Sequence, residues 1–421
     1  MRIVVLLMMI ACSQWLRAQD TLTLFACYDR AEEHAPRLGD REIIRNSGEV
    51  KTAMAGSAWY PSLDLNGKMS YQSDVVTITL SDPAIPVNFP EVPKDQYGLN
   101  LDLKQTLFDG GMTRLQKELE QARTEAALQE VEVDLHALKN RVNEVYFAIL
   151  ILQEQRKNLE IHRGNLEQRR EMIEAAVEEG TLLEEELKVM DVELLKMNQS
   201  IVEVDTRKQA FLEILGLLCG GGVDHGTILV PPRFGEEVET EGDRPEYRLF
   251  ELRDASMEAS KELIGRKRMP VLYAFGQTGY GKPGYNMLSG EWDFYYMVGA
   301  GLSWKIWDWN SSNREKQVIA NQQLVLDHQR AAFSREVESQ LAQERARIEQ
   351  YRQSIQYEQE VLALQQEISG NAEAKLESGT ITMTEYITTL NKENLARISL
   401  ETHRIQLLQA RASYLTIQGT L

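Results

Sequence analysis

Apolar and polar positions alternate most regularly between Asp293 and Asp308. Phe294, Tyr296, Val298, Ala300, Leu302, Trp304 and Ile306 take every second place, with Asp293, Tyr295, Met297, Gly299, Gly301, Ser303 and Lys305 between them. Period two over this length predicts a β-strand with one apolar face. The same unit occurs earlier, where Tyr97, Leu99, Leu101, Leu103 and Leu107 alternate with Asn100, Asp102, Lys104 and Thr106. Asp109 follows the first strand and Asp308 the second, 199 positions apart (308 − 109), and each is followed by a long heptad pattern. Two further strands are expected. One carries Leu63, Leu65, Met69 and Tyr71 against Asp64, Asn66, Lys68, Ser70 and Gln72. The other spans Val271 to Tyr280, where Tyr273 and Phe275 interrupt the polar face. Pro83, Pro86, Pro90 and Pro93 make Ser73 to Lys94 a loop, into which Val75 to Leu80 could extend the strand as a short edge. The strands form hairpins at about 61–107 and about 270–307.

The heptad pattern runs through Val131, Leu135, Leu138, Val142, Val145, Ile149 and Leu152 and stays in register at Leu159, Leu166 and Ile173. Its mean period of about 3.5 predicts a coiled-coil-like helix from about Met112 to Glu178, roughly 100 Å long. Gly180-Thr181 interrupts it. Leu183, Leu187, Met190, Leu194, Met197, Ile201, Val204, Phe211, Leu215 and Leu218 then continue the spacing, so a second helix folds back along the first. Residues 20–57 read as amphipathic helix with a break at Pro36. Gly220-Gly221-Gly222 and Pro231-Pro232 mark an irregular link, and a helix to about Arg268 follows Arg244-Pro245-Glu246.

Landmarks recur at fixed offsets. Pro36, Pro61, Gly67 and Tyr71 map 209 positions on to Pro245, Pro270, Gly276 and Tyr280. Asp109, Gly180-Thr181 and Glu186 map 199 positions on to Asp308, Gly379-Thr380 and Glu385. The difference of ten is a shorter second hairpin loop. Two repeats are expected at 19–218 and 243–421, with a linker at 219–242 and long helical hairpins at about 109–218 and about 308–418.

Among 421 residues, a net charge of −18 speaks against nucleic acid as partner. Met1-Arg2, the apolar run Ile3 to Ala11 and Leu16-Arg17-Ala18 read as a signal peptide over 1–18. The alternative is a lipoprotein signal with Cys12 acylated. A Cys27–Cys219 bridge is open, since two cysteines carry little pairing information. The longest later apolar run, Val145 to Leu152, is too short for a membrane helix. The scattered histidines make no HExxH, and no GxSxG or phosphate loop is present, so no catalytic residue, metal or cofactor is expected.

Strands of about ten residues can cross a tilted barrel wall. Hydrocarbon tolerates no open sheet edge, and four strands cannot close, so several copies must associate. With its paired units ending in Leu107-Phe108-Asp109-Gly110-Gly111 and Ile306-Trp307-Asp308, its Arg244-Pro245-Glu246 with Pro270, and its paired Gly-Thr turns, the chain resembles the TolC-like outer-membrane efflux proteins. The resemblance spans nearly the whole mature chain. It implies a mainly α fold with a β-barrel part. Each repeat gives one β-hairpin to a trimeric twelve-stranded barrel in the outer membrane, and its helical hairpins form a periplasmic α-barrel. It further implies a passive exit duct of tripartite efflux or type I secretion, a homotrimer that docks on a periplasmic adaptor and, through it, an inner-membrane pump. In the second copy Trp309-Asn310 stands where the family has a glycine pair, which leaves that local turn open.

The family's acidic constriction near the periplasmic tip falls on Glu185, Glu186 and Glu385, while its second acidic position in the later copy falls on Thr388. Rings of such carboxylates would favour cations; a solvated helix face is the structural alternative. Gly180, Thr181, Leu182 and Gly379, Thr380, Ile381 are implied adaptor contacts. Trp292, Tyr295, Tyr296, Trp304, Trp307 and Trp309 are candidates for an interfacial aromatic girdle facing outer-membrane lipid. The rival readings are a soluble periplasmic coiled-coil scaffold or adaptor and a secreted enzyme on a helical scaffold.

Overall fold

The structure, a computed structural model, describes residues 21–76, 92–235, 242–287 and 290–421. The expected signal segment with Ala18 and Cys12 lies outside them, as do Pro83, Pro86, Pro90 and most of the expected edge extension at 75–80. The chain divides into two compact units. One takes the residues up to Arg41 with Gln129–Arg248 and Arg330–Leu421; the other takes Glu42–Leu128 and Leu249–Gln329.

The second unit holds one antiparallel sheet of four strands: β2 (Ser62–Tyr71), β3 (Asp95–Phe108), β5 (Val271–Lys282) and β6 (Asp293–Ser303), in the order β2-β3-β5-β6. The register puts Leu65, Leu101, Thr278 and Tyr296 in one cross-strand row and Asp64, Asp102, Gln277 and Met297 in a neighbouring one. Apolar and polar faces therefore coincide across the sheet, as the period-two pattern requires. The strand expected to reach Asp308 stops at Ser303. Its ladder with β5 ends at the Val271–Ser303 pair, and among the described residues β6 has no second neighbour to carry it on. Strand β3, paired on both sides, continues to Phe108 across an irregularity at Leu107.

Both strand-to-helix turns use one device. After β3, the Asp109 carboxylate accepts from the amides of Gly111 (2.8 Å) and Thr113 (2.7 Å), capping helix α3 (Met112–Glu178). After β6, Asp308 accepts from the amides of Asn310 (3.0 Å) and Ser312 (3.1 Å), capping helix α6 (Ser311–Glu377). Gly110 and Gly111 have φ of +65° and +85°, and Trp309 and Asn310 adopt the same left-handed conformation at +52° and +61°. The turn is thus kept where the glycine pair is lost. Asn tolerates this region, whereas an aromatic residue there is strained. The helices α3 and α6 are each 67 residues long and begin 199 positions apart.

Helix α2 (Pro36–Gly56) starts the same way as helix α5 (Pro245–Arg266), with proline in the first helical position, where no amide is needed. A Cβ on Gly56 would meet Lys117 Nζ at 2.8 Å, and one on Gly265 would meet Lys316 Nζ at 2.9 Å. In both halves a lysine stem therefore lies directly on a helix glycine.

In the first unit the heptad positions are the core. Val131, Val142 and Ile149 are fully buried, as are Met190 and Leu215 of the returning helix α4 (Glu184–Leu218). Arg156–Asp205 and Arg170–Asp191, both 2.6 Å, link α3 to α4 along the hairpin. Helix α7 (Met383–Gln418) returns along α6. The amphipathic segment expected at 20–57 with a break at Pro36 is two helices, α1 (Leu24–Glu33) and α2, separated at His34-Ala35 just before that proline. The link expected to be irregular contains a two-residue strand, β4 (Ile228–Leu229), parallel to β1 (Thr21–Leu22). The Gln153 side-chain amide pairs with both polar groups of Leu229 at 3.0 and 3.1 Å, satisfying the β4 backbone there.

Burial opposes charge on Asp109, but the hydroxyl and amide of Thr113 and the amide of Gly111 favour it and hold its pKa below the ordinary value. A depressed folded pKa gives stability that is complete above the unfolded value, near 3.9, and is lost as pH falls through the folded one. Asp109→Ala is expected to cost about 1–2 kcal/mol at neutral pH, and the gap to the wild type is expected to close in strong acid. Thermal unfolding in detergent at both pH values checks this.

Candidate functional site

The sheet presents two chemically distinct faces. Leu63, Leu65, Leu103, Phe294, Tyr296, Val298 and Leu302 stand exposed on one. On the other, Asn66 and Gln277 donate to Asp102 at 2.7 and 2.6 Å, and Lys104 Nζ lies 4.4 Å from the centre of the Tyr273 ring. The aromatics that break the expected polar pattern have a local reason. A Cβ on Gly301 would meet the Tyr273 ring at 2.4 Å, one on Gly299 would meet Phe275 at 2.7 Å, and one on Gly279 would meet Tyr295 at 2.5 Å. Each ring lies flat over a glycine of the adjacent strand and covers its backbone.

The girdle candidates separate accordingly. Trp292 stacks on Tyr280 and Tyr97, with centroids 5.3 and 5.9 Å apart, at the loop end of the hairpins. Trp304 donates its indole N–H to the Arg268 carbonyl at 3.1 Å, and exposed Trp307 and Trp309 meet edge to face at 5.9 Å, at the helix end. Tyr296 stands on the apolar face, but Tyr295 points to the opposite one, since its neighbour in sequence must alternate. Tyr97 and Tyr280, which complete the stack with Trp292, read in the sequence as a strand position and a repeat landmark and not as girdle candidates. Their places opposite each other's strand ends follow only from the register.

The two helical hairpins of the first unit turn alike. Gly180 and Gly379 have φ of +72° and +70°, and the amides of Thr181 and Thr380 reach back to Ala176 and Lys375 at 2.9 and 2.8 Å. These are Schellman closures that satisfy helix-end carbonyls. Thr181, Leu182 and Thr380 are exposed and Ile381 is half-buried. Glu185 is exposed in the first turn of α4 and Glu186 is half-buried. Glu385 closes a capping box on α7: its carboxylate accepts from the Thr382 amide at 2.9 Å, and its own amide donates to the Thr382 hydroxyl at 3.3 Å. The corresponding cap position of α4 is Leu183, which offers no side-chain acceptor.

Between Leu159, Leu166 and Ile173 the intervening core positions of α3 are polar, a signal the heptad register contains but an apolar search passes over. His162 is 6% exposed, and its Nε2 lies 3.1 Å from the Asn391 side-chain oxygen. Asn391 in turn donates to Glu193 at 2.7 Å, so its oxygen must accept and Nε2 carries the proton. A cavity of about 40 Å³ beside it is lined by Asn158, Asn165, Glu393 and Arg397. One heptad on, Arg169 pairs with Glu373, donates to the Tyr386 hydroxyl at 3.2 Å and lies 5.3 Å from the centre of that ring. Among the described residues no cluster of His, Cys, Asp and Glu has metal-site geometry.

Residues 27–221, a little under half of the chain, match the family model described as Outer membrane efflux protein. The fold extends the likeness. The outer membrane protein VceC from Vibrio cholerae superposes with a TM-score of 0.65 at 12% identity, covering 94% of this chain and 96% of that one. A membrane protein from Pseudomonas aeruginosa gives 0.70 at 13% identity over 94% and 90%. The open state of the Neisseria gonorrhoeae MtrE outer membrane channel gives 0.65 at 14% identity over 94% and 88%. No curated protein matches the sequence. Residues 27–221 thus match the Outer membrane efflux protein model, and the chain as a whole has the fold of these outer-membrane channel structures.

Burial pushes the pKa of His162 down, against the opposing pull of Asn391, Glu193 and Glu393. Above the ordinary imidazole value, near 6.5, both folded and unfolded states are neutral and stability is complete. Below it the unfolded chain takes up the proton first, and stability is lost until the folded pKa is passed. His136, also pushed down by burial, adds a loss of the same sign. His162→Gln is expected to flatten part of the stability loss between about pH 7 and pH 5, which denaturant titration followed by helix signal measures.

Proposed function

We propose that this chain is one third of a homotrimeric exit duct that conducts cargo passively from a periplasmic adaptor and inner-membrane pump across the outer membrane. The observation that carries this reading is a four-stranded sheet with an exposed apolar face and two outer strands, β2 and β6, each paired on one side only among the described residues. Strands of 10 to 14 residues match a tilted membrane wall. In hydrocarbon each unpaired backbone group costs roughly several kcal/mol, so the edges must find partners. Three copies joined β6 to β2 would close a barrel of about twelve strands, lipid outside and the Asp102 network facing water within. The two hairpins of each half would then be repeats of one strand-into-helix unit, with the helices lining a periplasmic tunnel.

In this duct Trp292 with its tyrosines and Trp304, Trp307 and Trp309 would mark the two membrane interfaces. The Gly180–Leu182 and Gly379–Ile381 turns would meet the adaptor. Glu185, Glu186 and Glu385 would ring the narrow end of the tunnel. The capping box gives Glu385 a structural task as well, whereas Glu186 lies after a cap residue without an acceptor and is the better candidate for an ion-facing carboxylate. A soluble scaffold would give no reason for an apolar face on strands of this length.

Single-channel recording of the detergent-purified protein in a planar bilayer tests the reading. Cation-selective steps are expected, with Glu186→Gln reducing selectivity more than Glu385→Gln and the double variant reducing it most. A soluble monomer that needs no detergent and conducts nothing overturns the duct. Conductance indifferent to both substitutions retains the duct and removes the acidic ring from these positions.

A further inference from the structure

Cys27 lies in α1, and Cys219, 192 positions later, ends α4. Both belong to the same core of the first unit, at 0% and 1% exposure. The Cys219 thiol donates to the Cys27 carbonyl oxygen at 3.7 Å, so the two cysteines meet in this core. The backbone around them is built for this approach. Gly220, Gly221 and Gly222 follow Cys219 with φ of +71°, +104° and +74°, and the Gly221 amide returns to the Gly216 carbonyl at 2.8 Å. A Cβ on Gly220 would fall 2.1 Å from the His34 ring, so the residue that ends α1 packs straight onto the residue that follows Cys219. A side chain at that glycine would lift α1 away.

Helix α1 has ten residues, fewer than an isolated helix needs to persist in water, so it depends on what holds it. The β1–β4 pairing beside it is two residues long. We propose that in the mature protein Cys27 and Cys219 are joined by a disulfide that clasps the N-terminal helix to the end of α4. This rests on the reading above in one respect, that the chain is exported to an oxidising compartment, where disulfides persist.

The chemistry balances with an exported protein disulfide as oxidant. The Cys219 thiolate attacks one sulfur of that disulfide, forming a mixed disulfide and expelling a thiolate. Cys27 then gives up its proton and attacks the Cys219 sulfur, forming the Cys27–Cys219 bond and expelling the second thiolate. The chain loses two electrons and two protons, and the oxidant becomes a dithiol. The roles follow the surroundings. The neighbouring Cys27 and the Arg30 cation hold the Cys219 pKa down against burial, while Cys219 and burial push Cys27 up. Exchange takes place before the core closes over the sulfurs, or when α1 opens locally. A bond across this span removes much freedom from the unfolded chain.

The test is thiol counting on trimers extracted from cell envelopes with no reductant. Free thiols are alkylated in denaturant, and peptides are mapped before and after reduction. No label on Cys27 or Cys219 until reduction, and a joined pair of their peptides, is the expected result. Reduction is expected to lower the melting temperature by several degrees in the wild type and to leave the Cys27→Ala/Cys219→Ala double variant unmoved. Both cysteines labelled in unreduced trimers that still conduct overturns the clasp and leaves the duct standing. Protein found only in the cytoplasm overturns export instead. Refolding with oxidised glutathione then decides the clasp: bond formation supports it, and two free thiols overturn it.

Discussion

Backbone hydrogen bonding is the constraint from which this structure follows. A strand whose side chains alternate apolar and polar can lie between lipid and water, but only if both of its edges are paired. In the sheet, β3 and β5 are paired on both sides and β2 and β6 on one. The central ladder joins the first hairpin to the second, so each half depends on the other to pair the far edge of one of its two strands. Among the described residues, the outer edges of β2 and β6 are left without a strand partner. The exposed apolar face poses the same demand in another form, since Leu65 and Tyr296 share a row that no part of the described sheet covers.

The second demand is a change of period from two to 3.5 within a few residues. Asp109 and Asp308 meet it with one carboxylate that binds two amides of the new helix while the backbone passes through a left-handed pair. Glycine adopts that conformation freely, and Trp309-Asn310 is held in it by the same two amide bonds. The carboxylate, more than the glycines, is therefore what the turn requires. That accounts for the exact recurrence of the aspartate at the 199-residue offset while the residues after it change.

What was legible in the sequence was what period and spacing encode. The alternation around Leu99 and Val298 and the heptad row from Val131 to Ile173 lie where the pattern placed them, because each burial choice there is local to one strand face or one helix stripe. What was not legible depends on register between distant segments. Tyr273 and Phe275 look like errors in a polar face until Gly301 and Gly299 are seen beneath them on the next strand. Tyr295 has the composition of a girdle residue and the parity of the face opposite the apolar one. The neighbouring sulfurs of Cys27 and Cys219 are invisible to pairing arithmetic, because only the packing of α1 on the end of α4 brings them together.

The polar core positions of α3 fall between these cases. An unbroken apolar seam would slide by a heptad at little cost, since one leucine layer resembles the next. His162 hydrogen-bonded to Asn391, and Arg169 against Glu373 and Tyr386, each match one specific partner on another helix. Shifting the register would leave the buried imidazole, and the largely covered guanidinium of Arg169, without their partners, which opposes the shift. Such layers lower stability and fix alignment, as single polar core residues do in coiled coils. They sit in the half of the hairpin nearer the Gly180 and Gly379 turns, whereas the apolar core around Tyr146 and Phe147 occupies the other. The tip-proximal helices therefore combine an apolar seam with core contacts that protonation and ionic strength can reach.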